Sequence, residues 1–195
     1  MTAGPREGAA VLFVCTGNIC RSPAAELLLR AGLGDSGVEV ASAGLAARAG
    51  EPVAAPMARL LAARGVEPAG FVARQLEPAA LRSAGLVLTM TAEQRSAVVT
   101  RAPATVRRVF TLREFADLAG LGAGLPGERH AAGRLAALVA AAPRLRALRT
   151  GPGDDDVEDP YGLPEEVFAR ALGRIETAVG TLLGALTPDV AAHTV

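Results

Sequence analysis

A continuous apolar run near the start of the chain ends abruptly in a polar loop that contains glycine. Positions 9–14 read A-A-V-L-F-V, and the following residues are C-T-G-N-I-C-R-S-P. An uninterrupted apolar run of this length is typical of a parallel strand buried on both faces. Pro23 suits the first turn of a helix, which Ala24–Ala31 continue until Gly32 and Gly34 end it. The order strand, short loop, helix favours an α/β fold.

The rest of the chain repeats this alternation. Further strands are predicted at Val38–Ala41, Leu86–Met90 and Val106–Phe110, and helices from Pro52 to Gly65, from Ala92 to about Val99 and from Glu165 to Leu186. The predicted fold class is therefore α/β: a single domain in which a four-stranded parallel sheet carries helices on both faces. Ligands of such sheets bind beyond the carboxyl ends of the strands, which is where Cys15–Ser22 falls.

Composition limits the functions that are open to the chain. Its 195 residues suffice for a core that needs neither disulfide nor metal. The formal net charge is zero, so no global field favours nucleic acid or an anionic membrane as a partner. No apolar run approaches the ~20 residues of a membrane span, and the first residues lack the pattern of a secretory signal. We therefore expect a cytoplasmic protein, as a monomer or weak homodimer.

We expect residues 1–195 to form a single domain, and one long segment of it differs from the rest in amino-acid composition. Segment 120–156 opens with G-L-G-A-G-L-P-G-E, continues with an Ala/Leu/Arg helix from Ala131 to about Ala142, and closes with G-P-G-D-D-D. Flanks of this composition are flexible. We expect a surface insertion here, and a disordered tail at residues 1–8.

The loop after the first strand has the chemistry of a phosphate site. A short loop that turns onto a helix N-terminus directs several backbone N–H groups, together with the helix dipole, at one point. Gly17 permits close or strained backbone, and Asn18 can adopt a left-handed conformation or brace the loop. The same donors would stabilise a thiolate at Cys15, which would be a nucleophile directed at phosphorus. Arg21 would supply a planar cationic fork for two phosphoryl oxygens, and Ser22 is placed to donate to the thiolate.

These residues resemble a known loop. The sequence V-C-T-G-N-I-C-R-S-P-A-A-E is similar to the phosphate loop of the low-molecular-weight protein tyrosine phosphatases, and Ser42-Ala43-Gly44 and Ala73-Arg74-Gln75-Leu76 are further matches. The resemblance implies a flavodoxin-like three-layer fold and a cysteine-dependent phosphatase that acts on phosphomonoesters, above all protein phosphotyrosine, through a phosphocysteine intermediate. It also implies a late Asp-Pro as general acid, which matches Asp159 in V-E-D-P-Y-G before the final helix.

The resemblance assigns roles to the loop and its surroundings. Cys15, Arg21 and Asp159 would be catalytic, Ser42 would support the loop, and no cofactor would be needed. The residues expected to bind substrate are Thr16, Gly17, Asn18, Ile19, Cys20, Ser22 and Tyr161. A proton donated by a positioned carboxylic acid such as Asp159 accelerates departure of a leaving group by roughly 10²–10⁴-fold. Pro160 holds Asp159 in an extended conformation and therefore in a loop.

The second cysteine has three interpretations. A zinc site would need two further ligands, and His130 and His193 are the only histidines and lack paired spacing. Cys20 could instead be a small residue that packs the loop. In the phosphatases that the chain resembles, the second loop cysteine can pair reversibly with the nucleophile under oxidant. The resemblance therefore implies a redox role for Cys15 and Cys20 and no metal.

Three alternatives remain at this stage. Arsenate reductases share the fold and loop, but those with an intramolecular relay need cysteines beyond Cys20, and none exists. Protein-arginine phosphatases tend to have Thr where this chain has Ile19, and Ile favours phosphotyrosine. A catalytically inactive phosphate-binding regulatory module is the alternative from another class, although the retained nucleophile, arginine and acid argue against it.

Three positions depart from the pattern of tyrosine-selective members. An aromatic side chain usually follows Ser-Ala-Gly, whereas positions 45–50 here read L-A-A-R-A-G and leave Tyr161 as the one possible stacking wall. Phe71 stands where the family often has His, and Thr91 stands where an acidic residue is usual. These departures concern the choice of substrate and leave Cys15, Arg21 and Asp159 in place.

Overall fold

The protein is described by a computed structural model that covers residues 10–122, 129–149 and 153–187. Four strands and seven α-helices follow one another along these residues, with a 3₁₀ turn at Pro103–Arg108 before the last strand. In chain order they are β1 (Ala10–Cys15), α1 (Arg21–Leu33), β2 (Glu39–Gly44), α2 (Ala55–Ala62), α3 (Pro78–Ser83), β3 (Leu86–Thr89), α4 (Ala92–Arg101), β4 (Val109–Thr111), α5 (Leu112–Leu121), α6 (Ala131–Leu148) and α7 (Glu165–Leu186).

The sheet is parallel throughout, and its strand order is β2-β1-β3-β4. The chain moves outward from β1 to β2 and then crosses to β3 on the other side of β1, so the order reverses at β1. Such a reversal opens a crevice at the carboxyl ends of the strands. Cys15, which pairs in register with Gly44, ends β1 at that crevice. The predicted α/β class and four-stranded parallel sheet are confirmed.

Alternation along β1 divides its side chains between two apolar layers. Val11, Phe13 and Cys15 face the larger layer, and Leu12 and Val14 face the smaller one. Because both faces of the strand are covered, an uninterrupted apolar run suits it. The larger layer is built from α1, α2, α5, α6 and α7, and the smaller one from α3 and α4.

Several predicted boundaries were wrong. Gly32 lies inside α1 and does not end it. The helix passes close to α7 at this point, since a Cβ at Gly32 would lie 2.4 Å from Leu183 Cδ1. The helix ends at Gly34, the second of the two glycines predicted to end it, whose φ of 49° suits glycine. Helix α2 begins at Ala55 rather than Pro52. The fourth strand is shorter than predicted, since Val106 belongs to the 3₁₀ turn.

The helix at Ala131 packs one of its faces into the fold. Helix α6 extends to Leu148 through Pro143 and contributes a buried stripe to the larger layer, where it packs against α5 and α7. The stripe consists of Ala131, Leu135, Leu138, Ala142 and Leu145. Spacing of three and four residues gives this helix one apolar face that must be covered. The predicted tail at residues 1–8, and residues 123–128 and 150–152 of the predicted insertion, lie outside the described residues.

None of the helices in the described part of the chain combines the length and apolar composition needed to cross a lipid bilayer.

Candidate active site

The loop between β1 and α1 surrounds the sulfur of Cys15 with backbone donors. The carbonyls of Cys15, Thr16 and Gly17 accept bonds of 2.9–3.0 Å from the segment after β2, at Leu45, Ala46 and Arg48. Because these carbonyls bond to the segment after β2, the amides of the loop remain available on the other side of the loop. In residues 10–122, 129–149 and 153–187, the amides of positions 16, 17, 19 and 20 donate to no protein acceptor. The Asn18 amide lies 3.3 Å from Cys15 Sγ.

Asn18, rather than Gly17, has the unusual backbone conformation. Its φ is 55°, a left-handed value that asparagine tolerates better than most residues. A Cβ at Gly17 would lie 3.5 Å from the nearest side chain, which is ordinary contact. The close approach instead occurs at Gly44, where a Cβ would lie 2.6 Å from the carbonyl oxygen of Thr16.

The side chain of Asn18 fixes the direction of the hydrogen bonds around Cys15. Its Oδ1 accepts from the backbone N–H of Arg74 at 2.8 Å, so its Nδ2 must face Ser22 and Ser42, to which it donates at 2.9 and 2.8 Å. Ser22 Oγ therefore accepts from Asn18 and keeps its own proton. Cys15 Sγ lies 3.0 Å away, and we infer that Ser22 donates to it.

The network ends at a buried carboxylate that the sequence analysis missed. Ser42 donates to Glu26 Oε2 at 2.6 Å, and Glu26 is buried within α1. Its charge is compensated by Arg30 at 3.0 Å and by Arg74 at 3.6 Å. The only sequence signal was a carboxylate on the first helix whose partners lie 4 and 48 positions away, and the more distant one cannot be inferred from spacing.

Arg21 lies at the N-terminus of α1 and is almost fully buried. Its Nη1 donates to the carbonyl of Val157 at 3.1 Å, and its Nη2 forms an ion pair with Asp159. In the described residues, its Nε is buried without a hydrogen-bond partner. An unpaired buried donor is costly, and it is expected where a ligand completes the site.

The loop before α7 brings Asp159 to the site. The N–H of Val157 donates at 2.8 Å to the carbonyl of Met90, which attaches this loop to the end of β3. Asp159 is about half exposed, and its second oxygen accepts from the N–H of Tyr161 at 3.2 Å. The carboxylate is thus both held and accessible to a ligand.

These elements enclose a cavity of about 220 Å³ above Cys15. The residues that line it are Cys15, Thr16, Gly17, Ile19, Cys20, Arg21, Ala46, Arg48, Asp159 and Tyr161. Eight of these ten are residues that the sequence analysis assigned to the site, while Asn18, Ser22 and Ser42 lie beneath it in the hydrogen-bond network. Ala46 and Arg48 were not predicted, because the segment after Ser-Ala-Gly gave no chemical signal apart from the missing aromatic residue.

Both cysteines are free and buried. Burial raises the pKa of the Cys20 thiol to about 12, and the neighbouring Cys15 and Asp159 add to this effect while Arg21 opposes it. Cys20 is therefore a neutral thiol at physiological pH. In the described part of the chain, no group of three or more potential ligands could hold a metal ion.

Thr91 and Phe71, the two other positions that depart from the family pattern, have structural roles here. Thr91 is the N-cap of α4 and accepts from the N–H of Gln94 at 3.2 Å. Gln94 in turn accepts from the N–H of Met90 and donates to Thr16 Oγ1 at 3.1 Å, which attaches the loop to α4. Phe71 is buried in the larger apolar layer.

At the crevice of a parallel sheet, a thiol lies close to a buried arginine and to loop amides that have no protein acceptor among the described residues. This arrangement defines a cysteine-based site for a tetrahedral oxyanion. The model of the family described as low molecular weight phosphotyrosine protein phosphatase matches residues 10–127, and the chain belongs to this family. It is a phosphatase of the low-molecular-weight type, as the sequence predicted.

Relatives of two activities are similar to the chain. A probable low-molecular-weight protein-tyrosine-phosphatase, EpsP of Ralstonia nicotianae, is 39% identical over 105 residues, which are 54% of this chain and 71% of the relative. A protein-arginine-phosphatase of Geobacillus stearothermophilus is 31% identical over 172 residues, 88% of this chain and 92% of the relative. The solved structure of the YwlE arginine phosphatase from Geobacillus stearothermophilus superposes with a TM-score of 0.69 at 30% identity, covering 95% of this chain and 97% of that one.

Proposed function

We propose that the chain hydrolyses phosphotyrosine in proteins through a phosphocysteine on Cys15. The observation that carries the proposal is the buried Nε of Arg21, which has no hydrogen-bond partner among the described residues and belongs to the cavity that Cys15 also lines. The amides of positions 16, 17, 19 and 20 likewise have no acceptor within that part of the chain. These donors match the equatorial oxygens of a phosphoryl group, and such preorganised donors usually supply the largest part of catalysis.

In the first step, the Cys15 thiolate attacks phosphorus and the bond from phosphorus to the phenolic oxygen breaks. Asp159, which takes up a proton from solvent once it has separated from Arg21, gives that proton to the phenolic oxygen, so a neutral phenol departs. The ion pair between Asp159 and Arg21 must open for this, because the incoming phosphate takes over the Arg21 donors. The site therefore exchanges an internal carboxylate for a substrate anion.

In the second step, water attacks phosphorus and the bond between phosphorus and sulfur breaks. Asp159 accepts the proton of that water. Phosphate is released and the Cys15 thiolate is regenerated. The hydrogen bond from Ser22 stabilises the departing thiolate. Thr16, Gly17, Asn18, Ile19 and Cys20 contribute the amides of the loop in both steps.

Turnover of p-nitrophenyl phosphate tests the proposal. We expect the wild type to release p-nitrophenol and Cys15→Ser to release none, while both bind vanadate or sulfate in the cavity. Wild-type protein that turns over no aryl phosphate would refute it. If such protein still bound vanadate or sulfate in the cavity, the inactive phosphate-binding module would be favoured instead.

Phosphoarginine is the second candidate substrate, because the arginine phosphatase named above aligns with most of this chain. Ile19, which lines the cavity, favours phosphotyrosine over it. A screen of phosphotyrosine, phosphoarginine and phosphoserine peptides, with arsenate as a test for reductase activity, separates these candidates. We expect phosphotyrosine to be the best substrate.

We also infer that Cys15 and Cys20 form a reversible disulfide under oxidant. Both line the cavity, and a cytoplasmic location, which we infer as well, would otherwise keep them reduced. After peroxide treatment, thiols should restore activity in the wild type and fail to do so in Cys20→Ser. Equal recovery in both would refute this role.

A further inference from the structure

Arg48 and Tyr161 meet at the mouth of the cavity from two different loops. The guanidinium carbon of Arg48 lies 5.1 Å from the centroid of the Tyr161 ring, and Nη1 donates to the phenolic oxygen at 2.6 Å. Both side chains line the cavity together with Cys15. A leaving group bound in this cavity therefore has a cation on one wall.

The position of this cation is fixed by the phosphate loop itself. The N–H of Arg48 donates to the carbonyl of Gly17 at 2.9 Å, so its backbone cannot move independently of the loop. Its Nε pairs with Glu51, while the other edge of the guanidinium faces Tyr161. The hydrogen bonds and charge of Glu51 raise the pKa of Arg48, which remains cationic at every working pH.

We propose that Arg48 is a specificity residue that favours phosphotyrosine and disfavours phosphoarginine at this site. The proposal rests on the phosphatase activity proposed above and names the residue that selects its substrate class. The phenol of phosphotyrosine is neutral when it leaves, and its ring can stack on a guanidinium or on the Tyr161 ring. The guanidinium released from phosphoarginine is cationic and would lie against a like charge, which interfaces strongly disfavour.

The charges around Arg48 predict how each substitution changes the discrimination between phosphotyrosine and phosphoarginine. Glu51 partly neutralises the cation, so Glu51→Gln should strengthen the discrimination and Arg48→Gln should weaken it. Arg48→Lys keeps the charge without the planar fork and should keep most of the discrimination against phosphoarginine. Since the Arg48 side chain is about half exposed, salt should reduce the effect.

The test compares kcat/KM for one peptide that carries either phosphotyrosine or phosphoarginine at the same position. We expect the ratio of kcat/KM for phosphotyrosine to kcat/KM for phosphoarginine to fall about tenfold in Arg48→Gln, which is a reasonable size for the loss of one charge at the rim of a site. The same ratio should rise in Glu51→Gln. Arg59→Gln is the matched control, because Arg59 forms a similar exposed ion pair with Glu165 away from the cavity, and its ratio should equal that of the wild type.

Parallel measurements at low and high salt complete the design, with p-nitrophenyl phosphate as the reference substrate. A wild type that hydrolyses p-nitrophenyl phosphate, with a ratio unchanged in both Arg48→Gln and Glu51→Gln, would overturn the role of Arg48 and leave the proposed function standing. A wild type that turns over none of the three substrates would overturn both. Opposite shifts in the two variants that diminish at high salt would support the proposal.

Discussion

Removal of the Ser22 hydroxyl should slow turnover without removing the nucleophile. Because Asn18 already donates to Ser22 Oγ, the Ser22 proton is free for Cys15 Sγ at 3.0 Å. A hydrogen bond to a charged group contributes about 1.5–3 kcal/mol, which corresponds to about a 10–150-fold loss when the thiolate must leave phosphorus. We expect kcat of Ser22→Ala to fall by a factor in this range.

Stopped-flow release of p-nitrophenol shows which step is affected. In Ser22→Ala, an initial burst of about one equivalent per active site should precede a slow steady state, because formation of the phosphoenzyme needs no departure of the thiolate. Ser42→Ala is the control, since Ser42 also accepts from Asn18 but does not contact Cys15. Its loss in kcat should be no more than about tenfold, because Ser42 reaches the loop only through the neutral hydrogen bond from Asn18, while its bond to the Glu26 carboxylate contributes to stability. A wild-type kcat in Ser22→Ala would refute the inferred donor direction, and so would equal losses in both variants.

Three further predictions follow from the same geometry. Asp159→Ala should lower kcat for alkyl phosphates far more than for p-nitrophenyl phosphate, because an activated phenoxide leaves without a proton; equal losses would contradict its role as acid. Since burial holds the pKa of Cys20 at about 12, iodoacetamide should alkylate Cys15 well before Cys20 between about pH 7 and pH 9, as peptide mapping would show, and preferential labelling of Cys20 would contradict this. Gly44→Ala would place a Cβ 2.6 Å from the Thr16 carbonyl and should cost about 1–3 kcal/mol in unfolding free energy, whereas Gly120→Ala, with its nearest contact at 3.6 Å, should not; equal melting temperatures would contradict the steric argument.

The opening of the fold could be predicted from the sequence because its signals are local. The apolar run of β1, the loop residues and Pro23 lie in one continuous stretch, and each responds to its immediate neighbours. The role predicted for Gly32 in ending α1 was wrong for the opposite reason. Gly32 looks like a terminator in sequence, but it is a point of close contact with Leu183, about 150 positions further along the chain.

The same distinction applies to the site. Cys15 and Arg21 are linked by a short loop, so their relation follows from spacing. Glu26 and Arg48 take their roles from partners on other elements, Ser42 in one case and Tyr161 in the other. Tertiary structure brings these pairs together, and a single sequence does not show which distant residues meet.

Trapping the phosphoenzyme tests the central claim most directly. Wild-type protein is mixed with p-nitrophenyl phosphate, denatured within milliseconds, digested and analysed by peptide mass spectrometry. The account predicts one phosphoryl group on the peptide that contains residues 10–21, attached to Cys15, and none on the same peptide of Cys15→Ser. A phosphoryl group on any other residue, or turnover with no phosphoenzyme at any time point, would contradict it.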